Sequence, residues 1–233
     1  MEKNLFSKYY DDIFPLNQDT VDFLLAHFEK GKTLDLGSAT GEYSLALSRK
    51  GYETLGIDID PQMVHIALEK TKRLSLLGRF LEGNCLDVVY VNQFKNVFCI
   101  GNTLVHLKNK EEIRTSLKHV HESLLEGGHL VISIINYDRI LDQDIKGLPT
   151  IKNDTVTFER KYVLKDEYIS FDTVLTVGED VEVSSTPLFP IRSQDLIKIC
   201  ASLGFKDIVS YGNMLKDAFD KDKSYHLVLV MKK

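Results

Sequence analysis

Residues 33–42 read Thr-Leu-Asp-Leu-Gly-Ser-Ala-Thr-Gly-Glu, and Gly56-Ile57-Asp58-Ile59-Asp60 follows them. An apolar strand runs into a turn of small residues, a helix begins, and a second strand ends on an acid. This order is that of a β-α-β unit, and the nearly continuous apolar run at 129–135 is the pattern of a strand inside a parallel sheet. The small turn residues let backbone approach a ligand, and an acid closing the second strand can accept from both ribose hydroxyls. The unit therefore reads as a holder for the adenosine half of a cofactor. Asp58 lies 17 positions after Gly41, near the ~20 expected of a ribose-binding acid.

What the turn lacks narrows the cofactor. A dinucleotide site needs a glycine where Ala39 stands, and Glu42 at the helix start sets a carboxylate where a pyrophosphate would lie. A tight turn with no ligand is the plainer alternative for such a segment.

Beyond the turn, the 233 residues continue the same alternation. Apolar positions at helical spacing mark 16–30, 41–50, a helix opened by Pro61, and a charged helix over about 110–125 that ends at Gly127-Gly128. Strands are expected at 33–37, 53–58, 79–83, 95–101 and 129–135. From 154 to 187 the period changes to two, with Val156, Phe158, Tyr162, Leu164, Ile169, Phe171 and Val174 apolar. That is the pattern of an antiparallel hairpin or three-stranded sheet. Ser193-Gln194-Asp195 signals a helix start, and strands at 205–211 and 224–231 close the chain. The whole predicts an α/β fold: a doubly wound, seven-stranded, mostly parallel sheet whose last strand is antiparallel. Residues 1–233 are expected to form a single domain, with 137–190 as a small antiparallel cap insertion.

A formal net charge of −5 argues against a nucleic-acid partner, and no apolar run is long enough to span a membrane. Cys85, Cys99 and Cys200 are scattered, so neither a disulfide framework nor a metal-ligand set is expected. The Met1-Glu2-Lys3-Asn4 start does not read as a secretory signal, and a cytoplasmic setting follows. Oligomeric state is left open.

With its alanine and its two outer glycines, Asp35-x-Gly37-x-x-x-Gly41 resembles motif I of the class I S-adenosylmethionine (SAM) methyltransferases, a Rossmann-like family. Other strand ends fall into register with it: Gly83-Asn84-Cys85-Leu86 after the third strand, Gly101-Asn102-Thr103-Leu104-Val105-His106-Leu107 after the fourth, and Asn136-Tyr137-Asp138-Arg139-Ile140-Leu141 after the fifth. The last two resemble the glycine and sarcosine N-methyltransferase branch. The resemblance implies that Gly37, Ser38, Ala39 and Gly41 lie against the SAM chain and Asp58 on the ribose. Ile59 and Met63 would flank the adenine, Asn84 and Cys85 would meet its edge, and the Ile100 backbone would meet the methionine amine. It further implies Asn102, His106 and Tyr137 on the acceptor side, with Tyr9 or Tyr10 matching a site tyrosine. Cys85 departs from the pattern: it stands where the branch has a tryptophan, and this chain has none.

Each residue also has a plainer reading. Asp58 can be a strand-end turn acid, Asp60 a helix cap, Asn84 a turn former, and His106 a helix-entry residue. Methyl transfer to a small-molecule acceptor, a nitrogen nucleophile by resemblance, is the leading reading, with S-adenosylhomocysteine (SAH) as product. A SAM- or SAH-binding module without catalysis and a nicotinamide-dependent oxidoreductase are the alternatives.

Overall fold

Two short helices, α1 (Leu5–Lys8) and α2 (Tyr10–Ile13), precede α3 (Gln18–His27) in a computed structural model that describes residues 4–76 and 78–233. Met1 to Lys3 of the expected non-secretory start lie outside the described residues. The alternation then proceeds through β1 (Lys32–Leu36), α4 (Glu42–Arg49), β2 (Glu53–Asp58), α5 (Pro61–Leu74), β3 (Arg79–Glu82) and β4 (Phe94–Cys99). A 3₁₀ turn (Thr103–His106), α6 (Lys110–Ser123), β5 (Leu124–Ile135) and α7 (Tyr137–Asp142) follow. Four strands, β6 (Gly147–Lys152), β7 (Thr157–Leu164), β8 (Ile169–Val177) and β9 (Asp180–Leu188), come before α8 (Ser193–Ser202), β10 (Lys206–Tyr211) and β11 (His226–Lys232).

The main sheet has seven strands in the order β10-β11-β5-β4-β1-β2-β3. β1 to β5 pair in parallel, and β11 runs antiparallel to both β5 and β10. The order in which strands are added reverses at β1, with β2 and β3 on one side and β4 and β5 on the other, which opens a crevice beyond the strands' carboxyl ends. Apolar strands demand cover on both sides. Phe23 and Leu24 of α3 and Leu47 of α4 pack with Phe98, Val131 and Val228 on one face. Ile113, Leu117 and Val120 of α6 and Leu196 and Cys200 of α8 pack with Leu34, Val97 and Ile132 on the other.

The second sheet is antiparallel, in the order β6-β7-β8-β9. It has one strand more than the period-two pattern announces. β6 contains Pro149, which cannot donate to a ladder, and the strand survives because it is an edge with a register shift between Leu148 and Ile151. Two boundaries also move. Helix α6 stops at Ser123, and β5 begins at Leu124, which pairs with Phe94 before the register shifts. Gly127-Gly128 is thus a kink inside the strand and not the end of the helix. Arg192, not Ser193, is the N-cap residue of α8, and its side chain caps nothing. Asp138 of α7 serves instead, its Oδ2 accepting from the Ser193 amide at 2.9 Å.

The second sheet joins the carboxyl-end side of the main one. The Phe189 amide donates to the Val105 carbonyl at 2.8 Å, and Tyr162, Ile169 and Leu188 belong to the same buried cluster as β4 and β5. Leu5 and Ile13 pack on Val156, Phe158 and Leu175 at its other end. Among the described residues, no helix is long and apolar enough to cross a membrane.

Candidate active site

The turn after β1 is shaped by two positions that only glycine fits. Gly37 has φ +76°, and a Cβ there would stand 2.3 Å from Thr103 Cγ2; Gly41 has φ +83° and would meet Phe80 Cζ at 2.5 Å. Ala39 between them also sits at positive φ, +45°, which costs an L-residue ~1 kcal/mol. Its amide compensates by donating to Asp58 Oδ2 at 2.7 Å, while the amides of Gly37 and Ser38 donate to the Ile57 carbonyl. The end of β2 therefore holds the turn open in one shape.

Asp58 Oδ1 accepts from the Asp60 amide at 3.0 Å, so each carboxylate oxygen takes one backbone N–H. Each keeps a lone pair for a further donor. Burial pushes the Asp58 pKa up, against the lowering effect of those amides. Asp60 caps α5 by accepting from the Gln62 amide at 2.8 Å. Ile59 is 67% exposed, an apolar side chain left uncovered beside this acid, and Met63 is buried behind it. Ser38 Oγ is buried with no hydrogen-bond partner. An unsatisfied buried hydroxyl, an open acid and an uncovered aliphatic chain on one crevice fit a ligand with polar, ribose and flat apolar parts.

Asp35, one turn below, is fully buried in β1 and accepts from Ser44 Oγ at 2.8 Å; burial pushes its pKa up to about 8, so it is neutral at pH 7. Glu42 does not face the turn as a bare charge, because Lys70 Nζ lies 2.6 Å from its Oε1 and also pairs with Asp11. Ala39, whose methyl group replaces the required glycine, disfavours a pyrophosphate together with Glu42 and Asp11, two carboxylates that share the single Lys70 ammonium.

The N-terminal helices close over this turn. Thr40 Oγ1 donates to Asp11 Oδ1 at 2.5 Å, Ser7 Oγ donates to Asp60 Oδ2 at 3.1 Å, and the Leu5 amide reaches Glu182 Oε2 of β9 at 2.7 Å. Tyr10 belongs to this lobe: its ring packs edge-on against Phe6, and burial, then the Asp58 charge, hold its hydroxyl above the usual phenol pKa. The structure thus brings Tyr10 beside the turn that Asp58 closes.

Asn84 Oδ1 accepts from the Leu86 amide at 2.9 Å, which makes it a turn former whatever else it meets. Cys85 is half-buried beside it, and burial raises its thiol pKa. Ile100 is buried, and its carbonyl accepts from Thr103 Oγ1 at 3.0 Å.

Residues 33–128 match a family model described as a methyltransferase domain. Glycine/sarcosine N-methyltransferase of Aphanothece halophytica is 27% identical over 205 residues, which cover 86% of this chain and 76% of that one. Among solved structures, an S-adenosylmethionine-dependent methyltransferase from Clostridium acetobutylicum ATCC 824 has a TM-score of 0.83 at 18% identity, covering 98% of both chains. A SAM-bound amino pentose methyltransferase from Micromonospora echinaspora has a TM-score of 0.72 at 15% identity, covering 100% of this chain and 98% of that one. The chain carries a methyltransferase domain over residues 33–128 and has the fold of the class I SAM-dependent methyltransferases.

The cofactor of this methyltransferase is SAM, and Gly37 to Gly41, Asp58 and Ile59 are the residues whose geometry suits it. On the far side of the crevice, Asn102 has φ +73° and is a crosslink: Oδ1 accepts from the Ile135 amide and Nδ2 donates to the Tyr137 hydroxyl, both at 3.0 Å. Tyr137 is fully buried, which raises its pKa, as it does for Tyr162 of β7 beside it. Asn136 and Asp138 flank Tyr137 with structural work. Asn136 Nδ2 donates to the carbonyls of Lys221 and Ser224, and Asp138 caps α8. His106 ends the 3₁₀ turn, exposed at its rim, with enough of the ring packed for desolvation to lower its pKa and leave it neutral at pH 7.

One residue of this side escapes sequence reasoning, Arg160. The available signal was an arginine inside an apolar stripe of period two, Phe158-x-Arg160-x-Tyr162, since a charge on a buried strand face is uncommon without a task.

Proposed function

We propose that this methyltransferase transfers a methyl group to a small-molecule nitrogen nucleophile bound between the carboxyl ends of β4 and β5 and the second sheet. The observation that carries the reading is the Asn102–Tyr137 hydrogen bond standing across the crevice from the Asp58 turn. We read residues 1–233 as one domain, with 137–190 as its cap insertion, because the second sheet shares a core with β4 and β5 and is tied to the turn bearing His106. A closed lid of that kind suits a small acceptor and excludes water. The setting we assign is cytoplasmic, in keeping with three free thiols.

Bound SAM supplies an electrophilic methyl group; the chain supplies binding, orientation and proton handling. Asp58 would accept from the ribose hydroxyls, Ile59 would cover the adenine, and Ser38 Oγ, buried without a partner, would be free to meet the cofactor. Asn102 and Tyr137 act as orienting groups. The Tyr137 and Tyr162 phenols stay protonated at neutral pH, so they donate hydrogen bonds and do not act as bases. His106, neutral at pH 7, is the side chain we assign to take the amine's proton.

The nitrogen assignment draws on the Aphanothece halophytica relative, whose name is glycine/sarcosine N-methyltransferase. A panel of small amines, alcohols and thiols, with SAH formation followed in each, tests it. Turnover with amines is expected. Turnover confined to alcohols or thiols contradicts the nitrogen reading, and tight SAM binding with no turnover favours a binding module.

A further inference from the structure

The sheet edges are β3 and β10 in the main sheet and β6 and β9 in the cap. All but β9 carry a device that discourages pairing with another chain. β3 is four residues long and bears Arg79 and Glu82. β10 has a register shift between Lys206 and Val209, with Asp207 at φ +51°. β6 holds Pro149 and a shift of its own. β9 has neither a shift nor a lysine: its nine residues run in unbroken register with β8 from Asp180 to Leu188. No strand of the described residues lies on its other side. Val181 is 59% exposed and Val183 73%, while Glu182 points to the inner face and accepts from the Leu5 amide.

Two observations say which backbone groups β9 turns away from β8. Val177 and Asp180 oppose each other across a two-residue loop, Gly178-Glu179. The residues flanking such a loop exchange hydrogen bonds, so the Asp180 backbone points at β8. Alternation then sends the N–H and C=O groups of Val181, Val183 and Ser185 outward. Pro187 agrees, because a proline in an unbroken ladder aims its nitrogen away from the paired strand. Side chains alternate as well, and Leu188 is buried on the inner face. Val181, Val183 and Ser185 therefore lie on the outer face, where Val183 stands beside Val174 of β8.

We infer that β9 pairs with β9 of a second copy of this chain, antiparallel about a two-fold axis through Val183, so that the two caps form one continuous sheet. In this register Val183 faces its own copy, and Val181 faces Ser185 of the second copy. Each outward N–H then meets a carbonyl, and Pro187 stays outside the ladder. The contact is self-complementary, as a closed dimer requires. Charge selects the same register. Glu182 falls opposite Ser184, whereas an axis moved to Glu182 sets that carboxylate directly against itself. An axis moved to Ser184 brings Pro187, which has no N–H, opposite Val181. On the outer face, Val174 and Val183 of both copies join into one stripe of β-branched side chains.

Sedimentation equilibrium of the full chain tests this. A mass about twice the 26.6 kDa of one chain is expected at micromolar concentration. Val183→Lys puts a charge on the axis, and Val183→Pro removes an N–H that β8 does not use. Each should sediment as a monomer, with its circular dichroism spectrum unchanged. Val209→Lys, on the β10 edge, should remain a dimer. Val183→Cys reads the register. Hydrogen-bonded residues directly opposite stand ~5.5 Å apart at Cα, within the span of a disulfide. Mild oxidation should thus give a covalent dimer that neither the parent nor Val209→Cys gives. A parent that sediments as a monomer, a dimer that survives both Val183→Lys and Val183→Pro, or a Val183→Cys protein that does not crosslink overturns the inference.

Discussion

Replacing Asp58 by Asn separates the ribose role of this carboxylate from its turn role. In the folded protein its oxygens accept from the Ala39 amide at 2.7 Å and the Asp60 amide at 3.0 Å. Asn keeps one acceptor oxygen and turns an amino group toward the other backbone N–H, so one of these two bonds is lost. For the ligand-free protein that costs ~1 kcal/mol, reduced because a desolvated charge is also removed. For the complex the loss is larger. A hydrogen bond from a ribose hydroxyl to a charged acceptor disappears, worth ~1.5–3 kcal/mol, or about ten- to 150-fold in affinity. Asp58→Ala is the poorer probe, since it strips both turn amides at once. Titration calorimetry with SAH gives the binding term, and thermal unfolding without ligand gives the turn term. The expected result is a clear loss of affinity with a small fall in melting temperature. Equal SAH affinity in parent and variant would refute the ribose role and leave Asp58 a turn residue.

Three further outcomes are expected. Burial raises the Asp35 pKa from its ordinary 3.8 to about 8, so the folded state holds its proton longer than the unfolded one. Stability is then full below about pH 4 and declines as pH rises toward 8. Asp35→Asn should remove that decline and stabilise the protein at pH 8 by on the order of a few kcal/mol; parallel melting profiles from pH 5 to 9 contradict it. Asn102→Ala leaves the Ile135 amide without its acceptor and forces alanine to φ +73°, for a loss of ~2–4 kcal/mol in denaturant unfolding; an unchanged midpoint means that Asn102 is not the crosslink described. Removing residues 1–14 takes away the Ser7–Asp60 and Asp11–Thr40 contacts over the turn, so SAH should dissociate faster, and an unaltered dissociation rate argues against a covering role.

The main sheet was legible because its signals are local. Small residues from Gly37 to Gly41, Pro61 after Asp60, and the apolar runs of β1 and β5 each specify their element without help from distant contacts. The failures are places where a distant residue does the work. Ser193 reads as a helix cap, but Asp138, 55 positions away, takes its amide. Gly127-Gly128 reads as a helix stop and is a kink within β5, decided by the pairing of Leu124 with Phe94. Pro149 hides β6, since whether a strand tolerates proline depends on whether it is an edge. At the site, the cofactor half follows a contiguous motif, whereas the acceptor half is assembled from β4, α7 and β7. Asn102 and Tyr137 were legible through their motifs. Arg160 carried no motif, and only the fold shows that its face is the buried one. Glu42 is paired with Lys70 of another helix, a contact that its local sequence does not announce.

The Gly37–Gly41 turn and Asp58 should hold SAM and not a dinucleotide. Titration calorimetry of the full chain against SAM, SAH and NAD, under one buffer, tests it most directly. SAM and SAH should bind saturably while NAD gives no heat of binding above dilution. Saturable NAD binding with no binding of SAM or SAH contradicts the account.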